Sequence, residues 1–247
     1  MNQLPNWQSP QKPAELTYHR LVQSILDGSL PANNLLPNEH ELADALGVTR
    51  STLREALQRL SANGLVEIQH GKPTRVRDIW LEGNMNTLST IIQTQHASLT
   101  ARWVPQMLAV RADIAPQYSF LAVKNNPEKV IDLIDEISVS LEDLAPVFAA
   151  ADWNLHHRLT VLSKNPIYTL ILNGFRDYYH LLAEKYFSLE DSRQYSLQFY
   201  HQLKILASER KPEETRALVA GVMARSIRLW ELSIEKEIRS MPPHKGG

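Results

Sequence analysis

The sequence contains no cysteine, and its charges of opposite sign nearly cancel. Without cysteine, disulfides, thiolate catalysis and cysteine-ligated zinc are all excluded. The 26 Lys and Arg residues almost balance the 27 Asp and Glu residues, so the formal net charge is -1 at pH 7. A chain of this kind has no general attraction for nucleic acid, and any anion-binding surface on it must be local.

The sequence also lacks an apolar run long enough to cross a membrane, and it shows no secretory signal at its start. We therefore expect a cytoplasmic protein with no membrane partner. No phosphate-binding glycine loop, dinucleotide fingerprint, nucleophile elbow or paired-carboxylate motif is found, which argues against an enzyme. The length of 247 residues is sufficient for two domains with full cores.

Residues 36–60 contain the pattern of two short helices joined by a tight turn. Asn38 is placed to cap the first helix, and Glu41 follows three residues later as in a capping box. The apolar stripe predicted for this helix consists of Leu42, Ala45 and Leu46. Gly47 can adopt the positive φ that ends a helix without steric cost, so the second helix is expected to begin near Thr49.

The second helix of the pair separates apolar from polar positions. Its core stripe consists of Leu53, Ala56, Leu57 and Leu60. Its outer face, near the N-terminus, carries Arg50, Ser51, Thr52 and Arg54. Arginine bonds guanine edges or phosphates, and hydroxyls add neutral phosphate donors, so the pattern predicts a helix-turn-helix that reads DNA.

A hairpin is predicted after this pair, with strands over residues 65–69 and 75–80 and a turn over residues 70–74. It contains Lys72, Arg75 and Arg77, and its glycine-containing tip is slim enough to approach a minor groove. A further helical stripe from Tyr18 to Leu26 precedes the pair. These elements predict a winged helix-turn-helix domain over residues 14–80.

The rest of the chain, from Gly83 to Glu237, is predicted to be helical. Prolines mark several helix starts: Pro127, Pro146, Pro166 and Pro212. Counting such starts predicts an antiparallel bundle of about seven helices over residues 84–238. The fold class is therefore mainly α, with a winged helix-turn-helix followed by a helical effector-binding domain.

Residues 36–60 resemble the N-terminal signature of the GntR family of bacterial transcription regulators. Residues 68–74 and 165–174 resemble the FadR fatty-acid regulators within that family, and the resemblance extends from about Leu16 to Leu232. It implies a homodimer that binds a palindromic operator in double-stranded DNA and leaves it when the helical domain binds a long-chain acyl-CoA. Such regulators repress fatty-acid degradation genes and activate unsaturated fatty-acid synthesis, and no cofactor is implied.

The resemblance also implies functional residues, position by position. The implied DNA contacts are His40, Thr49, Arg50, Ser51, Thr52, Arg54, His70, Gly71 and Lys72. The implied ligand contacts are Arg111, Tyr179, Tyr186, Ser226 and Trp230. The chain departs from the family twice: His40 replaces an arginine, and Val222 replaces a tyrosine.

Two alternatives remain open at this point. Asp152, His156 and His201 resemble three of the metal ligands found in related GntR ligand domains, and such a metal would chelate a small carboxylate effector. The fourth expected ligand position holds Ser226, and a hydroxyl is a poor zinc ligand, so no metal is the favoured interpretation. A more remote alternative is an enzyme that processes acyl-CoA.

Overall fold

The computed structural model describes residues 12–94 and 97–240. The chain divides into two compact units, Met1–Thr100 and Ala101–Gly247. The first elements in chain order are α1 (Pro13–Leu26), α2 (Glu39–Leu46), α3 (Arg50–Ala62), β1 (Val66–Glu67), β2 (Arg75–Val76) and α4 (Met85–Gln93). They are followed by α5 (Ala97–Asn125), α6 (Pro127–Asp135), α7 (Ala145–Leu162), α8 (Pro166–Gly174), α9 (Arg176–Phe187), α10 (Glu190–Ser208) and α11 (Pro212–Ser240). The predicted mainly α fold class is confirmed.

The helix-turn-helix forms as its sequence predicts, with one correction. The side-chain oxygen of Asn38 accepts hydrogen bonds from the N–H groups of His40 and Glu41 at 3.1 and 3.0 Å. Gly47 ends α2 with φ of 68°. The predicted stripe is wrong at one position, because Ala43 is 1% exposed whereas Ala45 faces solvent. In so short a helix, the apolar pattern alone does not fix which face turns inward.

α1, α2 and α3 enclose one apolar core in the first unit. Its buried members on α3 are the predicted Leu53, Ala56, Leu57 and Leu60. α1 contributes Tyr18, Leu21, Val22 and Ile25. Val66 of β1 and Val76 of β2 close the same core, so the wing is attached to the helices through its apolar side.

The wing sheet is smaller than predicted. β1 and β2 are antiparallel, with Val66 opposite Val76 and Glu67 opposite Arg75. The second strand ends early because Asp78 begins a turn, in which its carboxylate accepts the N–H of Trp80 at 3.0 Å. Trp80, predicted to lie in the strand, is 60% exposed.

α4 groups with the first unit. The hydroxyls of Tyr18 on α1 and Thr90 on α4 lie 3.3 Å apart. The hydroxyl of Thr87 donates to the backbone oxygen of Asn63, which caps the C-terminal end of α3, at 2.8 Å. These contacts agree with the grouping of α4 in the unit that ends at Thr100.

The second unit is helical throughout its regular structure, as the proline positions predict. Pro127, Pro166 and Pro212 open α6, α8 and α11, and Pro146 is the second residue of α7. The largest core cluster combines side chains of α5, α6, α7, α10 and α11. Among the helices of the described residues, none has the length and apolar character needed to span a membrane.

Gly64 provides a test of the packing between α3 and α4. Its φ is +74°, and a Cβ added there would lie 2.7 Å from the hydroxyl oxygen of Thr87. Gly28 has a similar φ of +83° but open space around it. Gly64→Ala is expected to lower the unfolding free energy by about 2–3 kcal/mol, against about 1–2 kcal/mol for Gly28→Ala. Equal shifts in thermal unfolding midpoint for the two variants would contradict this packing.

Candidate functional sites

The first turn of α3 presents an exposed group of polar side chains. The hydroxyl of Thr49 caps the helix by accepting the N–H of Thr52 at 3.2 Å. The hydroxyls of Ser51 and Thr52 each lie 2.9 Å from the same oxygen. Arg50 and Ser51 are exposed beside them. The arrangement offers hydroxyl and guanidinium donors at a helix N-terminus, where anions are favoured.

Two of the predicted DNA contacts have acidic neighbours on α2. Nε of Arg54 donates to Oε2 of Glu39 at 2.6 Å, and Nδ1 of His40 lies 3.3 Å from Oδ2 of Asp44. Arg54 is 60% exposed, and both partners of the His40 pair are exposed. Surface pairs of this kind contribute at most about 1 kcal/mol, so they orient the side chains without preventing a phosphate or a base from replacing the carboxylate.

The predicted contacts of the wing lie at its tip. His70, Gly71 and Lys72 are exposed, and Gly71 turns the chain with φ of 72°. Arg75 is not part of this exposed group, because its guanidinium donates to Glu67 and Glu82 at the base of the wing. Arg75, which the sequence predicts in the hairpin, is therefore held by ion pairs within the domain. Its hydrogen bonds are the largest influence on Glu82 and lower the pKa of that carboxyl to about 2.

In the second unit, the residues predicted to contact a ligand come together in one pocket. Its lining includes Arg111, Tyr179, Tyr186, Ser226 and Trp230. The pocket holds about 810 Å³ of space free of protein atoms, counting open solvent within it. Most of its wall is apolar, with side chains such as Leu172, Ala183 and Phe187 that are themselves buried. The pocket therefore suits a ligand with a long apolar part.

Asp152 is the centre of the polar contacts in the pocket. Nη2 of Arg111 donates to its Oδ2 at 3.2 Å, the hydroxyl of Tyr200 donates to its Oδ1 at 3.1 Å, and Tyr179 also donates to Oδ2. Burial acts to raise the pKa of Asp152, but the neighbouring His156, the guanidinium and the hydroxyl donors together outweigh it, so that pKa lies below its ordinary value. A paired, ionised carboxylate therefore joins α5, α7, α9 and α10.

His156 extends this network away from the pocket surface. Its Nδ1 lies 2.7 Å from the hydroxyl of Tyr118, and its Nε2 lies 3.7 Å from Oδ1 of Asp152. Burial is the main cause of a pKa lowered from 6.5 to about 4, and the Arg111 charge adds to it. His156 is therefore neutral at pH 7. Its ring shares one hydrogen bond with the Tyr118 hydroxyl through Nδ1, and its buried Nε2 has no hydrogen-bond partner among the described residues.

The other two polar residues of the pocket lie between α9 and α11. The hydroxyls of Tyr186 and Ser226 are 3.2 Å apart. Trp230, four residues after Ser226, lines the same pocket, and Nζ of Lys185 lies 5.8 Å from the centre of its indole ring. This edge of the pocket offers hydroxyls beside an aromatic face.

The alternative metal site does not assemble. Among the described residues, no group of three or more His, Asp or Glu side chains is close enough to hold a metal ion. His201 is exposed on α10, because the neighbouring Tyr200 takes the inward position and contacts Asp152. The cation beside Asp152 is Arg111. The alternative metal-ligand set of Asp152, His156 and His201 is therefore wrong. Asp152 and His156 are neighbours, whereas His201 is exposed on α10.

Comparison with protein families covers nearly the whole chain. Residues 13–76 match the family described as bacterial regulatory proteins, gntR family, and residues 77–241 match the FadR C-terminal domain. The chain belongs to the FadR group of the GntR family. Membership of this family makes it a regulatory protein and not an enzyme.

Similar FadR-type proteins are known from several bacteria. The fatty acid metabolism regulator protein of Shewanella oneidensis is 39% identical over 218 residues, which cover 88% of this chain and 90% of that protein. The corresponding protein of Shewanella frigidimarina is 37% identical over 219 residues, covering 89% and 91%. Among solved structures, Streptococcus agalactiae GntR is 22% identical, with a TM-score of 0.46 and coverage of 87% of this chain and 99% of that chain.

Sequence reasoning missed part of the hydrogen-bonded network around Asp152 in this FadR-type protein. Tyr118 and Tyr200 carry no motif and lie far from Asp152 in sequence, so only the folded chain brings them together. One signal was available: the four-residue spacing of Asp152 and His156 places both on one face of α7. That spacing indicated a metal pair, whereas the fold uses it for a buried hydrogen-bonded network.

The network predicts a pH dependence of stability. The folded-state pKa of His156 is lowered to about 4, so between pH 6.5 and 4 the unfolded chain binds more protons than the folded chain. Stability is therefore lost as the pH falls through this range, by about 2–3 kcal/mol from this residue between pH 7 and 4.5. His156→Phe should flatten the fall, whereas His201→Gln, at an exposed position, should leave it unchanged. Urea midpoints followed by tryptophan fluorescence test this, and identical profiles for wild type and His156→Phe would contradict it.

Proposed function

We propose that this protein regulates fatty-acid metabolism genes by binding operator DNA as a homodimer and leaving it when a long-chain acyl-CoA fills the pocket. One observation carries the proposal. Five residues implied as ligand contacts, placed on α5, α9 and α11, line a single pocket with mostly apolar walls. The names of the Shewanella relatives support fatty-acid metabolism as the regulated process.

The chemistry of the pocket favours an acyl chain. Each buried methylene contributes about 0.8 kcal/mol, so a long chain gains considerable free energy against walls such as Leu172 and Phe187. Arg111 is already paired with Asp152, which leaves its charge largely balanced. The polar part of the ligand then has the hydroxyls of Tyr186 and Ser226 as partners at another part of the pocket.

The DNA-binding part of the proposal uses both exposed groups of the first unit. α3 enters a major groove with Thr49, Arg50, Ser51, Thr52 and Arg54 toward DNA, joined by His40 of α2. The wing tip, His70, Gly71 and Lys72, reaches the neighbouring minor groove. Two copies of the domain, over residues 14–80, bind the two halves of a palindrome.

The effector acts by binding one state of the dimer more tightly than the other. A ligand that binds both states of the dimer equally well shifts nothing, whatever its affinity. The acyl-CoA must therefore favour a state whose recognition helices no longer fit successive major grooves. A metal-dependent carboxylate effector is less favoured, because His201 lies on an exposed face and Arg111 occupies the cation position beside Asp152.

The recognition helix is tested by removing Arg50. Arg50→Ala is expected to weaken operator binding by about 1–3 kcal/mol if the guanidinium holds a base edge, or to flatten the salt dependence if it holds a phosphate. Arg210→Ala removes the same charge from an exposed position in the second unit and serves as the control. Gel-shift titrations at several salt concentrations measure both effects. Unchanged affinity and salt slope for Arg50→Ala would contradict the assignment.

The pocket is tested by calorimetry with oleoyl-CoA, free CoA and oleate. Oleoyl-CoA is expected to bind and to displace operator DNA, whereas CoA alone lacks the acyl chain that supplies the affinity. Trp230→Ala should weaken oleoyl-CoA binding by on the order of tenfold or more. The milder Ser226→Ala should weaken it several-fold while preserving the fold, and Trp80→Ala, at an exposed indole, is the matched control.

Three results would contradict the effector assignment. The first is a failure of oleoyl-CoA to bind folded wild-type protein. The second is binding of oleoyl-CoA without displacement of operator. The third is release of free CoA during incubation, which would favour an enzyme that processes acyl-CoA.

A further inference from the structure

The base of the wing carries a charged cluster that the proposed DNA contacts do not use. Its members are Glu67 on β1, Arg75 on β2, and Arg77 and Glu82 just after β2. Arg75 binds Oε2 of Glu67 through Nε and Nη2 at 3.0 and 2.9 Å. It binds Glu82 through Nη1 and Nη2 at 2.9 and 2.7 Å.

Arg75 also reaches the segment that precedes the helix-turn-helix. Its Nη1 donates to the side-chain oxygen of Asn33 at 3.0 Å. Next to this contact, Leu35 forms a β-bridge with Arg75 itself, and the N–H of Leu36 donates to the carbonyl of Thr74 at 2.8 Å. One guanidinium therefore joins both wing strands, the turn after the wing and the segment before α2.

Arg75 adds a polar anchor to the apolar attachment of the wing through Val66 and Val76. The two strands of the wing have only two residues each, and a hairpin of this size is marginal alone. Between Glu67 and Arg75 the chain runs out to the exposed tip and returns, so any looseness at the base displaces Lys72. Guanidinium provides a rigid fork that holds two carboxylates at fixed angles, whereas lysine provides only a point charge.

We propose that Arg75 is a positioning residue: held by Glu67 and Glu82, it fixes the base of the wing so that Lys72 at the tip reaches DNA. This inference rests on the proposed function, since it takes the wing tip as a DNA contact. It also accounts for two carboxylates close to a DNA-binding surface, where negative charge otherwise opposes binding.

The alternative role for Arg75 is a direct contact with a DNA phosphate. Substitutions that keep or change charge have different expected effects for the two roles. A phosphate contact is largely kept in Arg75→Lys, and Glu82→Gln strengthens binding because it removes a negative charge near DNA. A positioning role is lost in Arg75→Lys, because lysine cannot bridge both carboxylates. Glu82→Gln then weakens operator binding although it makes the surface more positive.

The test is a set of four double-mutant cycles on the full chain, read as operator affinity at one salt concentration. Lys72→Ala is measured in the wild-type, Arg75→Lys and Glu82→Gln backgrounds, and Arg50→Ala is measured in the same three. In the Arg75→Lys background, we expect Lys72→Ala to change operator affinity by less than about twofold. A change of that size is the scatter for independent sites. In Glu82→Gln the effect of Lys72→Ala should also be reduced. The Arg50→Ala effect should persist in all three, because α3 does not depend on the wing base.

The outcomes separate this inference from the proposed function. A full Lys72→Ala effect in the Arg75→Lys background, or tighter binding by Glu82→Gln, overturns the positioning role alone. No effect of Lys72→Ala in wild type contradicts the wing contact and the positioning role together. Loss of the Arg50→Ala effect in Arg75→Lys, with an unchanged thermal midpoint, shows that Arg75 acts beyond the wing and also overturns the inference.

Discussion

The buried negative charge of Asp152 is the constraint around which the helical unit is arranged. A carboxylate removed from water is costly unless charges and hydrogen-bond donors surround it. Arg111, Tyr179 and Tyr200 supply them from three other helices, and this fixes how α5, α7, α9 and α10 approach one another. The pocket lies beside this polar centre. A ligand that enters must therefore fit between walls whose positions the charge network holds.

The first unit uses paired charges for a different purpose. Its near-neutral composition comes from carboxylates that contact the cations: Glu39 on Arg54, and Glu67 and Glu82 on Arg75. The exposed pair is weak enough for DNA to replace, whereas the cluster at the base of the wing is half-buried and shared among several segments. Position, and not the count of charges, therefore separates the exposed cations proposed to contact DNA from those that hold the fold.

Much of this arrangement follows from local sequence signals. Neighbouring residues alone predict the Asn38 cap, the Gly47 turn and the helix starts marked by proline, and the structure contains these features. Prediction from sequence failed where the two residues of a contact are distant in the chain, or where the buried face of a helix is ambiguous. Ala43 is buried in place of the predicted Ala45 because two turns of helix do not define an inward face. The ion pairs of Arg75 were not predicted because Glu67 and Glu82 meet it only after the chain turns. The pocket residues could be named only through the family resemblance, since contacts such as Arg111 with Asp152 span 41 positions.

The central claim is that pocket and operator are coupled through one equilibrium. Coupling of this kind is reciprocal, so operator DNA must weaken ligand binding by the same factor by which ligand weakens operator binding. The most direct measurement is the Kd of oleoyl-CoA for the protein alone and for the protein saturated with a duplex operator. The account predicts a weaker Kd in the presence of operator, by a factor equal to the loss of operator affinity at saturating oleoyl-CoA. An unchanged Kd for oleoyl-CoA would contradict the coupling, even if both ligands bind tightly.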